Sequence, residues 1–106
     1  MKAFNCAALT LLVSIGTATF AAAAERPATK AEISNIAVGR TVNGTMKYMP
    51  DGRYTYGGRD PGKYTISAGK VCVNFDSGFK RCDRIVTADG KSFALINAEG
   101  KRFPYK

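Results

Sequence analysis

The 106-residue sequence contains no histidine and no tryptophan. The first absence removes the commonest general base and the commonest metal ligand. No G-x-S-x-G nucleophile pattern and no phosphate-cradling P-loop pattern stands in for it. Acids are scarce as well, eight against sixteen Lys and Arg. Asp51, Asp60, Asp76, Asp89 and Glu99 fall in turn-forming stretches, Glu32 fits a helix cap and Glu25 follows the leader described below, so only Asp83 lacks a structural task. One spare carboxylate does not make an acid/base pair. The sequence therefore reads as a non-enzymatic chain with no metal and no cofactor.

Long apolar runs are also missing, with one exception. Lys2 is followed by an uncharged stretch, Ala3 to Ala24, with Leu9, Leu11, Leu12, Val13 and Ile15 at its centre and small residues from Ala21 to Ala24. That is the pattern of a secretory signal peptide spanning residues 1–24, with cleavage before Glu25. Cys6 leaves with it. After cleavage no transmembrane segment is expected, and the compartment is periplasmic or secreted. Removing 24 of the 106 residues leaves 82, enough for one domain but a size at which an apolar core alone is marginal. Without Lys2, fifteen basic residues face eight acids, a net charge of +7.

Residues 25–40 read as a tether and a short helix. Thr29-Lys30-Ala31-Glu32 has the capping-box pattern, Ile33, Ile36 and Ala37 share one helical face, and Gly39 supplies the stop. Such a helix is too short to stand alone and should dock on a sheet. From Thr41 the period changes to two, and turns ending in glycine recur at Gly52, Gly62, Gly69, Gly78, Gly90 and Gly100. They divide residues 41–106 into seven strand candidates, roughly 41–49, 53–57, 63–67, 70–75, 79–87, 91–97 and 101–105. No room is left for crossover helices, so the expected fold is all-β with one short N-terminal helix: an antiparallel meander curled into a small open or closed barrel. A two-layer sheet packed on the helix is the alternative. Alternation assigns Val42, Met46, Tyr48, Tyr54, Tyr56, Tyr64, Ile66, Val71, Val73, Phe75, Phe93, Leu95, Phe103 and Tyr105 to the inner face. Pro104 places the last strand at an edge or at a closing seam.

The best-defined unit is the run KVCVNFDSGFKRCDR, residues 70–84. A three-residue turn at Asp76-Ser77-Gly78, with Gly78 left-handed, makes Phe75 face Phe79. Counting outward pairs Asn74 with Lys80, Val73 with Arg81 and Cys72 with Cys82. Two cysteines in an oxidising compartment at facing positions predict one disulfide, Cys72–Cys82, worth about 3 kcal/mol in the chain-entropy model. The same count puts Arg81 and Asp83 on the inner face. Because buried charges are costly unless paired, the expectation is a bulge between Phe79 and Ile85 that turns both outward; a polar cavity is the alternative.

The runs GRTVNG (39–44), MKYMPDGRYTY (46–56), GKYTI (62–66), KVCVNF (70–75) and RCDRI (81–85) resemble small exported proteobacterial β domains of unknown function. Those domains have a short helix, a G-[RK]-T strand, a DGR hairpin and two cysteines bracketing a turn. Tyr64 stands where such sequences often carry Trp. The resemblance implies a fold and a compartment, and no activity.

Basic and aromatic residues interleave between Arg53 and Tyr64. In a cytoplasmic protein this would suggest single-stranded nucleic acid, but export argues for no nucleic-acid partner. Gly57 to Gly62 reads as the longest loop, with Arg53, Arg59 and Lys63 converging at one rim beside Tyr56 to hold phosphate or carboxylate oxygens. The sequence thus predicts a binding domain for an anionic cell-envelope component, either a polymer or a lipid head group. The rival is an inhibitor or effector that meets an acidic protein through a packed interface. Oligomeric state is not encoded in any of these patterns.

Overall fold

A computed structural model describes residues 24–106. The expected signal peptide therefore lies outside the described residues, apart from Ala24. The described chain is mostly β: nine strands in an antiparallel meander that curls into a half-barrel, with one short helix.

The helix α1, Lys30–Ala37, begins where the capping box places it. Thr29 Oγ1 accepts from the Glu32 amide at 3.0 Å, and Glu32 Oε1 accepts from the Thr29 amide at 2.9 Å, satisfying donors that the first turn leaves open. Arg26 adds two hydrogen bonds to the Glu32 carboxylate, both at 2.8 Å. Ile33 and Ala37 are fully buried, and Ile36 packs on the core from its margin.

Two of the nine strands were not foreseen. The presumed tether forms β1, Arg26–Pro27, paired with β7 at Thr87 and Val86. Its path is tight: a Cβ on Gly69, which has φ +71, would lie 2.8 Å from the Pro27 Cβ. The expected strand 41–49 is a hairpin, β2 Arg40–Val42 and β3 Met46–Tyr48. Asn43 and Gly44 both have positive φ, 53° and 72°, and reverse the chain. Val42 still faces Met46 across the turn, so both remain inside as alternation required. The other strands follow in order: β4 Arg53–Tyr56, β5 Arg59–Ser67, β6 Lys70–Phe75, β7 Lys80–Thr87, β8 Phe93–Ile96 and β9 Arg102–Pro104. The long loop expected at Gly57 to Gly62 shrinks to a Gly57-Gly58 turn, because β5 starts at Arg59 and a bulge opposite Tyr54 and Tyr56 absorbs the excess. Gly62 is required there, since a Cβ would meet the Asn74 carbonyl oxygen at 2.6 Å.

Pro104 lies on the last strand of the sheet order, as its missing donor demands. Asn43 ties the two ends of the sheet together. Its Nδ2 donates to the Pro104 carbonyl at 2.6 Å, its backbone amide donates to the Lys106 carbonyl at 2.6 Å, and its Oδ1 accepts from the Lys106 amide at 3.2 Å. Inside the curl, Tyr48 meets Tyr54, Tyr64 and Tyr105 edge-on, with ring centroids 5.1 to 6.4 Å apart. The helix packs against β2 and β5 and covers one end. No helix among the described residues is long and apolar enough to cross a membrane.

Candidate functional site

In an up-and-down meander, alternate turns gather at one end. The turns after β2, β4, β6 and β8 meet opposite the helix, and that end is open. Its geometry is set by the hairpin of β6 and β7, whose register is the one counted from the turn: Asn74 with Lys80, Val73 with Arg81, Cys72 with Cys82. Gly78 has φ +99. The cysteines are bonded, with Cα atoms 4.0 Å apart on the outer face.

That register runs unbroken to Lys70 opposite Arg84, with no bulge. The expectation that Arg81 and Asp83 turn outward is therefore wrong. Alternation away from the outward cysteines carries both inward, and pairing offsets the cost that made this look prohibitive. Arg81 Nε donates to Asp83 Oδ2 at 2.8 Å, with the Asp83 side chain 7% exposed and that of Arg81 32%. Burial, the largest single influence, would lower the Arg81 pKa, but the Asp83 hydrogen bond and the Asp83 charge together outweigh it and leave the pKa above the usual value. The pair sits beneath the tyrosine cluster. Burial raises the pKa of Tyr48 and Tyr54 above the ordinary tyrosine value and pushes Tyr105 up to about 12. Asp83 Oδ1 and the Tyr105 hydroxyl have no hydrogen-bond partner among the described residues.

Arg81 is the common wall of three adjoining cavities at the open end. One of about 250 Å³ lies between Arg81, Tyr56, Asp60, Phe75, Ser77 and Phe79. One of about 330 Å³ extends past Tyr56 to Thr45, Met46, Leu95 and Phe103. The third, about 370 Å³, is bounded by Phe79, Asp83, Asn97, Glu99 and Phe103. Residues from all four turn regions contribute. The rim is aromatic: Phe79 is 64% exposed, Phe103 44% and Tyr56 41%, and Phe79 stacks on Phe75 at 5.8 Å. Alternation had assigned Tyr56 and Phe103 to the inner face. They do lie around the concave end, but no described residue covers that end, and both side chains are exposed.

The residues proposed from sequence divide. Tyr56 lines this mouth, with Arg59 opposite it across the turn. Arg53 lies opposite Lys63 farther along the hairpin, beyond the Tyr54–Gly62 pair, and its Nη2 is 3.0 Å from Asp76 Oδ2. The structure thus brings Tyr56 together with Arg59 and Arg53 with Lys63, at different levels of the hairpin. Sequence reasoning missed Arg81, Phe79 and Phe103 as a group. The signal for Arg81 was present in the hairpin count.

Chemically, the mouth offers one oriented guanidinium. Nε is committed to Asp83, while Nη1 and Nη2 make no hydrogen bond among the described residues. A guanidinium held this way suits a carboxylate or phosphate, and the aromatic rim suits an apolar body attached to it. The described residues contain no group of three or more Cys, Asp or Glu placed to hold a metal. No family model, curated protein or solved structure matches the chain. The resemblance to small exported domains therefore rests on the quoted turn and cysteine motifs.

Proposed function

We propose that the protein works by binding rather than catalysis, as a periplasmic or secreted module that takes the anionic group of a cell-envelope component into its open mouth. The observation that carries this reading is Arg81, fixed by the buried Asp83 at the junction of three cavities and surrounded by Tyr56, Phe79 and Phe103. Arginine is the fitting cation for a half-buried site, because its delocalised charge is weakly hydrated and its donors match planar anions. The ligand class that fits is an amphiphilic anion with a phosphate or carboxylate head and an apolar tail.

The test is calorimetric titration with dodecyl phosphate below its micelle concentration, with inorganic phosphate as the headgroup-only control. Dodecyl phosphate should bind more tightly than inorganic phosphate. Replacing the ion pair as a unit, Arg81→Met with Asp83→Leu, should abolish that binding while leaving the fold intact, because apolar replacement of a buried pair is often neutral or stabilising. Binding that survives the double replacement would overturn the reading. It would move Phe79 and Phe103 to the role of anchors in a protein interface.

A further inference from the structure

The register places a second pattern on the opposite, outer face of the sheet. Arg53 lies opposite Lys63, Lys63 opposite Asn74 and Asn74 opposite Lys80, so one row of side chains crosses four strands. In a second row Lys70 lies opposite Arg84, Arg84 opposite Ile96 and Ile96 opposite Arg102. The rows are four residues apart along β6, about 13 Å at the usual rise per strand residue. Between them lie Thr65 and the Cys72–Cys82 disulfide, which carry no charge.

The acids are elsewhere. Asp51, Asp76, Asp89 and Glu99 lie in turns, Glu32 on the helix, Glu25 ahead of β1, Asp60 in the mouth and Asp83 inside the curl. No outward position of β2 to β9 is acidic. Asp76 reaches up to Arg53, and Glu25 pairs with Arg102. Lys63, Lys70, Lys80 and Arg84 have no ion-pair partner among the described residues, and Lys70 directly opposes Arg84. Like charges at facing positions destabilise a sheet, so packing does not explain this arrangement.

We infer that the outer face is a docking surface for a linear polyanion, one anionic group per repeating unit, lying along the cationic rows. Charge complementarity selects an anion, and the shape selects a chain over a bilayer. A convex sheet touches a flat membrane along only a narrow line. The large exposed apolar side chains that could enter a membrane, Val38, Tyr56, Phe79 and Phe103, belong to the helix end and the mouth. The inference is independent of the role given to Arg81, which projects from the other face.

The test uses the purified protein, long-chain inorganic polyphosphate and vesicles of phosphatidylglycerol with phosphatidylcholine. Polyphosphate should bind with an affinity that falls steeply as salt rises, through counter-ion release. Reversing Lys63 and Lys80 to Glu, or Lys70 and Arg84 to Glu, should weaken binding by about tenfold or more at low salt, with the thermal midpoint unchanged. Lys30→Glu with Lys91→Glu changes net charge equally but lies off this face, and should weaken binding less than about threefold. Equal loss from the control pair would overturn the inference, as would binding to vesicles without binding to polyphosphate, or no polyphosphate binding. The Arg81→Met and Asp83→Leu protein should keep full polyphosphate affinity. Its loss there would assign the polymer to the mouth and overturn the inference while leaving the mouth a binding site.

Discussion

The two ends of the half-barrel are built from the same strands with the same alternation, yet they differ in chemistry. At the helix end, Ile33 and Ala37 seal the interior, and the buried polar side chain that β7 places there, Thr87, is satisfied: its Oγ1 accepts from the Gly90 amide at 2.8 Å and donates to the Ser92 carbonyl at 2.7 Å. At the open end the same inward phase of β7 presents Arg81 and Asp83, with one Asp83 oxygen unpartnered among the described residues, and aromatic side chains stand exposed. Alternation decides which face a residue joins. Whether that face is covered depends on what another element places over it.

The largest expected effect lies at the open end. Arg81→Ala strands the Asp83 carboxylate in the interior and should cost about 3–5 kcal/mol in urea unfolding, whereas replacing both residues by apolar ones should cost almost nothing. Equal losses from the two variants would show that the pair is not buried as a unit. The covered end comes next. Ile33→Ala should cost about 2–5 kcal/mol through the cavity it leaves, against no more than about 0.5 kcal/mol for Phe79→Ala at the uncovered rim. If the two were similar, the contrast between sealed and open ends would fail. The disulfide serves the hairpin that sets the mouth, and Cys72→Ser should lower stability by about 3 kcal/mol, with no free thiol titrating in residues 25–106 of the native protein.

The smallest effect is at the helix start, where Arg26 and then the Thr29 amide hold the Glu32 carboxyl down to about 2, well below the usual carboxylate range. Because the folded-state pKa lies below the unfolded one, this contribution is present above the unfolded value and is lost as pH falls toward 2. Glu32 is at the surface, so the effect is screened by salt. Glu32→Gln should lower the thermal midpoint slightly near neutrality and flatten its pH dependence across that acidic range, so that the two proteins converge as the pH approaches 2.

Much of this was legible where a local rule fixes geometry. The capping box located the helix, and the Asp76-Ser77-Gly78 turn fixed the Cys72–Cys82 register because hairpin pairing is counted outward from the turn. The Asn43-Gly44 reversal carries its own signal, two residues suited to positive φ, but alternation on either side of it keeps the same phase and the stretch resembles one strand. β1 is two residues long and contains Pro27, so no periodicity could reveal it. Alternation puts Arg81 and Asp83 inside, and the general cost of burying charge argues the other way. The offsetting hydrogen bond joins residues two apart on one strand. The mouth as a site was not legible, since the exposure of Tyr56 and Phe103 depends on the helix covering the other end.

The Asn43 clasp gives the chain an order of assembly. Every ladder from β2 to β9 joins consecutive strands and closes over a short loop, so each hairpin can form as soon as its second arm is available. The hydrogen bonds of Asn43 to Pro104 and Lys106 span 61 and 63 residues. A chain delivered N-terminus first, whether from a ribosome or through a translocation channel, would complete its hairpins one by one and fasten the two ends of the sheet only when residues 104–106 arrive. Until then the curl is a strip with two loose borders. An Asn43→Gly chain, which keeps a residue suited to the positive φ of that turn, should form its ladders at the normal rate and weaken only the final step, by the two side-chain bonds to Pro104 and Lys106.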